Sequence, residues 1–159
     1  MTKPPSAIKA TDATTRVGSR YPAPYDEPCK ARTKYLLGDA FGLDQFGVNL
    51  AVLAPGAWSS QRHWHEKEDE FIYVLSGELV LSDDAGDHVL KPGMCAGFKA
   101  NNGNGHCLRN LTSAPAQYLE VGTRGSHEVA WYSDIDMKVT QENRVGTYTR
   151  KDGSPVPVR

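Results

Sequence analysis

Two histidines one residue apart, His63 and His65, followed five residues on by Glu70, are the side chains of this 159-residue sequence best suited to hold a cation. Side chains alternate between the two faces of a β-strand, so His63 and His65 project from the same face. Two imidazoles side by side can grip one ion from one direction. Glu70 opens an apolar run in which Ile72 and Val74 share its face, and this sets a carboxylate at the mouth of an apolar interior. An ionised carboxylate there needs a partner, and a metal ion supplies one. The plainer alternative is a surface hairpin, since Glu66, Lys67, Glu68 and Asp69 read as a solvated turn. The histidine pair alone fits either reading.

The elements that must carry these residues have a period of two. Residues 46–53 alternate before the turn at Pro55 and Gly56, and residues 71–75 are β-branched and aromatic before the turn at Ser76 and Gly77. Further short strands are expected over 78–82, 88–90, 106–111, 117–121, 128–132 and 137–140. Only 34–43 suits a helical turn or two. Short strands separated by Gly, Pro, Asn and Asp turns indicate an all-β antiparallel sandwich or barrel. Residues 1–30, rich in Pro, Thr, Ser and Ala, read as an extended N-terminal arm whose tyrosines could dock on the barrel or on a partner subunit. Residues 31–140 form the barrel domain, and 141–159 a C-terminal strand and tail.

The spacing His63-x-His65-x4-Glu70-x6-Gly77 resembles the first signature motif of the cupin superfamily. A second segment, from Gly93 through His106 to Asn110, is similar to the second motif, and the resemblance spans roughly residues 46–122. It implies a double-stranded β-helix, the jelly-roll cupin barrel, of the short bacterial single-domain kind often described as mannose-6-phosphate-isomerase-like. It also implies four metal ligands, His63, His65, Glu70 and His106. The sequence departs from the pattern in three places. Six residues rather than five separate Gly56 from His63, and Lys99 and Asn101 stand where the pattern has proline and glycine. Four residues, 102–105, precede His106 where the pattern has two. A Gly/Asn-rich loop absorbs such an insertion by taking positive φ. Three imidazoles and one carboxylate suit one divalent transition metal ion (Fe, Mn, Ni, Co or Zn) without choosing among them, and positions left open on it favour catalysis over a closed structural site.

Around that centre Gln61, Lys99 and Asn104 are candidate substrate-binding residues, each with a plain structural role as the alternative. Arg62 and Trp64 must point away from His63 and His65, which suits packing or a homodimer contact. A net charge of −1 gives no basic field for nucleic acid or anionic lipid. No apolar run approaches the about 20 residues of a membrane-spanning helix. The three cysteines, Cys29, Cys95 and Cys107, share no motif spacing, so a reducing cytoplasm is expected. The leading expectation is a metal-dependent enzyme acting on a small polar metabolite, isomerase-like by family analogy. An Fe(II)-dependent dioxygenase and a non-catalytic metabolite-binding barrel are the alternatives, because this fold hosts many chemistries.

Overall fold

The computed structural model describes residues 4–156, and the expectations for residues 1–3 and 157–159 lie outside it. In chain order the strands are β1 (Thr15–Val17), β2 (Arg32–Tyr35), β3 (Phe46–Leu53), β4 (His63–His65), β5 (Glu70–Ser76), β6 (Leu79–Asp83) and β7 (Gly86–Leu90). They continue as β8 (Cys95–Phe98), β9 (Cys107–Arg109), β10 (Ala116–Thr123), β11 (His127–Tyr132), β12 (Lys138–Glu142) and β13 (Val145–Thr149). One wall is the six-stranded sheet β1-β2-β3-β10-β5-β8. The other comprises a four-stranded sheet, β13-β12-β11-β4, and a three-stranded sheet, β7-β6-β9. A backbone bridge between His63 and His106 ties these last two sheets together. Every strand pairing is antiparallel. This is the expected all-β jelly roll.

Period-two patterning decides what faces inward. On β5, Ile72 and Val74 are buried while Phe71, Tyr73 and Leu75 are exposed. On β10, Ala116 and Tyr118 are buried. These side chains pack with Ala51, Leu53, Leu79, Leu81, Leu90 and Leu108 into one core between the walls. Glu70 lies on the inward face of β5, beyond the apolar end of that core.

Within residues 34–43, expected to hold a helical turn or two, Leu37–Ala40 makes one turn, α1, while Lys34 and Tyr35 complete β2. Pairing of β2 with β3, which sets Lys34 opposite Ala51, overrides the local preference. The N-terminal segment docks on its own barrel. β1 pairs with β2, and Tyr21 meets Tyr132 and Tyr148 edge-on at 5.4 and 5.8 Å. Tyr21 and Tyr25 thereby join a second cluster built on Ala130, Tyr132, Met137 and Val139. Their burial needs no partner subunit.

Asn110 is the polar pin of the barrel. It is fully buried, and its Nδ2 donates to Leu53 O and Ala114 O, both at 2.8 Å. Its Oδ1 accepts from the Thr112 backbone N–H at 3.0 Å and hydroxyl at 2.8 Å. Replacing it strands several buried backbone groups at once, each costing about 1–3 kcal/mol when unpaired. Asn110→Ala is expected to lower the unfolding free energy by about 3 kcal/mol in a urea titration. A loss under about 1 kcal/mol would show that the turn holds without its amide.

Candidate metal centre

The His63–His106 bridge is where the site begins. The His63 backbone N–H donates to His106 O at 3.1 Å, and the His106 N–H returns the bond to His63 O at 2.9 Å. A bridge of this kind holds two side chains abreast, and the two rings lie 4.9 Å apart. His65 follows on the same face of β4, its ring 4.9 Å from that of His63. From the opposite wall, β5 brings in Glu70. Its Oε2 lies 2.9 Å from His106 Nε2, 3.5 Å from His65 Nε2 and 3.7 Å from His63 Nε2.

That oxygen is buried, yet it forms no well-aligned hydrogen bond to any of the three nitrogens. A carboxylate gathered in for its own sake would be hydrogen-bonded. One that shares a focus with three imidazole nitrogens, without bonding to them, has the geometry of a ligand set. His63, Glu70 and His106 each bring a ligand atom to within 4.8 Å of the others. The chemistry of the donors, three imidazoles and one carboxylate, fits a divalent transition metal.

The outer ring nitrogen of His63 is held in a way that frees the inner one. His63 Nδ1–H donates to Gln61 O at 3.0 Å, which leaves Nε2 as the lone-pair nitrogen. His65 Nδ1 faces Glu128 Oε1 at 3.7 Å. Glu128 is itself 1% exposed and accepts backbone N–H bonds from Glu66, Lys67 and Val129. His65, Glu68 and Glu128 form a second cluster of possible ligand atoms. Because Glu128 is satisfied by three backbone donors, that cluster is better read as the support of His65. His106 is oriented by packing, its ring stacked flat on Phe98 with centroids 3.5 Å apart.

Electrostatics follow from this crowding. Burial would raise the Glu70 carboxyl, but the charge of His65, the close approach of His106 Nε2 and then the charge of His63 overcome it and hold Glu70 well below the usual carboxylate range. Burial pushes His63 down to about 3, only partly opposed by Glu70. Burial acts on His65 in the same direction, but Glu70 and Glu128 together raise it above the usual value.

The three other sequence candidates each bond to the protein, and of them Lys99 borders a small depression shared with His65, Glu70 and His106. Gln61 Nε2 donates to Tyr25 O at 2.8 Å, so it anchors the N-terminal segment. Lys99 Nζ pairs with Asp69 at 3.0 Å on an exposed rim. Asn104 bonds the β6–β7 turn, its Oδ1 accepting from the Asp84 N–H and its Nδ2 donating to Asp83.

A cavity of about 250 Å³ opens beside Glu70, His63 and His106. Its far wall carries residues that local sequence reading did not find, Lys34, Asn49, Tyr118 and Glu120. Glu120 Oε1 accepts from Lys34 Nζ at 2.5 Å and from Asn49 Nδ2 at 2.8 Å, while the Tyr118 hydroxyl is 3.5 Å from Oε2. Burial draws Lys34 below the usual lysine range, against the opposing charge of Glu120. The only signal in the sequence was a lone Glu120 interrupting a strand on the face shared with buried Tyr118.

Comparison with known proteins agrees with this architecture. The family profile described as the cupin domain matches residues 49–122. A sugar phosphate isomerase of the cupin superfamily from Silicibacter pomeroyi DSS-3 is 49% identical, with 95% of this chain and 96% of that chain covered at a TM-score of 0.91. A protein from Acidithiobacillus ferrooxidans ATCC 23270, provisionally described as a sugar phosphate isomerase, is 27% identical over 80% of this chain and 81% of its own, with a TM-score of 0.71. The polyketide cyclase RemF from Streptomyces resistomycificus shares the fold at 23% identity and a TM-score of 0.63, over 76% of this chain and 80% of its own. A comparison with curated proteins found no significant match.

The insertion before His106 is accommodated by close packing that leaves a testable mark. A Cβ placed on Gly105 would lie 2.0 Å from Ser133 Oγ and 3.0 Å from Ser133 Cβ. Gly105→Ala is expected to cost about 1–3 kcal/mol in thermal or urea unfolding, as overpacking does. Adding Ser133→Gly should recover most of the loss. Independent, additive effects of the two changes would contradict this packing.

Proposed function

The chain belongs to the cupin superfamily, and on that footing we propose that it is a metal-dependent enzyme interconverting isomers of a small sugar phosphate. The observation that carries the reading is the focus of three imidazole nitrogens on Glu70 Oε2, at one end of a cavity whose far wall bears the Lys34–Glu120 pair. The 49% identity to a sugar phosphate isomerase over nearly the whole chain supports the choice of reaction.

His63, His65, Glu70 and His106 would hold the ion, with Gln61 O and Glu128 fixing the first two rings. When bound, a divalent cation polarises a carbonyl or hydroxyl oxygen of the substrate. The protein supplies the rest. Interconverting an aldose and a ketose takes a proton from the carbon beside the carbonyl and returns it to the neighbouring carbon, which calls for one positioned base. Glu120 is the cavity carboxylate that the imidazoles do not engage. Lys34 and Asn49 fix its Oε1, and Oε2, which has only a long 3.5 Å contact from the Tyr118 hydroxyl, is the atom that takes and returns the proton. Lys34, which keeps N–H donors beyond the one given to Glu120, offers them to the oxygens on which negative charge develops.

Metal content and turnover test this. Protein purified without chelator or added metal is expected to carry about one divalent metal per chain. His106→Ala is expected to lower that content at least about tenfold while the barrel stays folded. Imidazole ligands must be neutral to bind, and His65, the ring raised above the usual value, protonates first, so metal should leave as pH falls through the histidine range, with tighter binding moving the loss lower. Metal content unchanged in His106→Ala would remove that residue from the site. In a panel of aldose and ketose phosphates, Glu120→Gln should reduce kcat by about 10²–10⁴-fold at unchanged metal content. Turnover by wild type that survives Glu120→Gln undiminished would place the base elsewhere. Iron in the purified protein together with substrate-dependent O₂ uptake would instead favour oxygen chemistry.

A further inference from the structure

Beyond the metal centre, the mouth of the barrel is lined by four arginines. Arg16, Arg20, Arg124 and Arg144 border one depression of about 480 Å³, with Glu68 as its acidic member. A neighbouring depression shares Arg16 and Arg20 and runs inward past Arg32 to His63 and His65. The positive charge of the rim is only partly balanced. Asp39 serves both Arg124, at 2.8 Å, and Arg144, at 3.2 Å. Glu68 is half-buried and accepts the Gly125 N–H at 2.9 Å. Arg16 and Arg20 take part in no ion pair or side-chain hydrogen bond among the described residues. Arg16 is partly buried, and its charge is opposed by burial and then by Arg20 and Arg32. Holding unpaired like charges together at a half-desolvated mouth is costly unless an anion visits it.

The geometry points to an anchoring site for a phosphate monoester at this rim, with Arg16 and Arg20 as its principal donors. Guanidinium forks match the oxygens of a phosphate dianion in a bidentate way. A small molecule held there by its phosphate would extend along the shared depression toward His63 and His65. The assignment rests on the reading of the substrate as a sugar phosphate, and it names the residues that would select for the phosphate. None of them was a candidate in the sequence, because Arg16 and Arg20 precede the barrel while Arg124 and Arg144 lie more than a hundred residues later.

The test uses the full chain as purified and inorganic phosphate as the probe, titrated calorimetrically at low ionic strength. Wild type should bind phosphate saturably, and Arg16→Met/Arg20→Met should bind it at least tenfold more weakly with the same metal content. Arg20→Met alone, at an exposed position, should weaken binding severalfold and serves as the variant if the double change disturbs folding. Arg150→Met, away from the depression, should bind like wild type. Absence of saturable binding in wild type, or equal affinity in the variants, overturns the assignment. Metal content is measured on the same samples. Wild type that holds metal but binds no phosphate therefore counts against the rim alone, and wild type that binds phosphate but holds no metal counts against the metal centre alone.

Discussion

The structure depends on keeping one carboxylate, Glu70, ionised at the end of the apolar core of the barrel. Isolated charge at that depth is unfavourable by several kcal/mol unless it is compensated. Three imidazoles from the opposite wall surround it, within 2.9–3.7 Å of one oxygen. The strands on both sides are arranged around this need. β5 presents Glu70 one position beyond the apolar pair Ile72 and Val74. β4 is only three residues long, and a bridge to His106 supplies the third ring.

What surrounds the four residues is arranged to keep the imidazoles in one orientation. Gln61 contributes its carbonyl to His63, Glu128 its carboxylate to His65, and Phe98 a flat surface to His106. Each support comes from a different kind of interaction, and the fold provides all three through backbone-fixed positions. Glu128 in particular is itself fixed by three backbone N–H groups. The cavity beyond carries a polar stripe, from Lys34 through Glu120 to Asn49. That stripe arises because Glu120 and Asn49 are register partners on β10 and β3.

How much of this could be read in the sequence depended on how local the determinant was. The strand over Phe46–Leu53 and the facing of His63, His65 and Glu70 follow from alternation within a few residues. His106 was reached through its resemblance to a cupin motif, and the bridge to His63 explains why the longer loop before it is tolerated. Positive φ at Asn101 and Gly103 absorbs the extra residues. Lys34 and Glu120 were out of reach because their meeting depends on strand pairing across 86 residues. Lys34 was further obscured by lying in a stretch with helical character that β3 draws into a sheet. Gln61, Lys99 and Asn104 were singled out by proximity in sequence, and their side chains' hydrogen-bond partners, each 20 or more residues away, could not be read locally.

The central claim is that three histidines and one glutamate form a single metal centre. X-ray absorption at the edge of whichever metal copurifies tests it most directly. The account predicts one metal environment with imidazole nitrogen and carboxylate oxygen scatterers at about 2.0–2.2 Å, and the loss of one imidazole contribution in His65→Ala. A spectrum with sulfur scatterers, or one unaltered by His65→Ala, would contradict it.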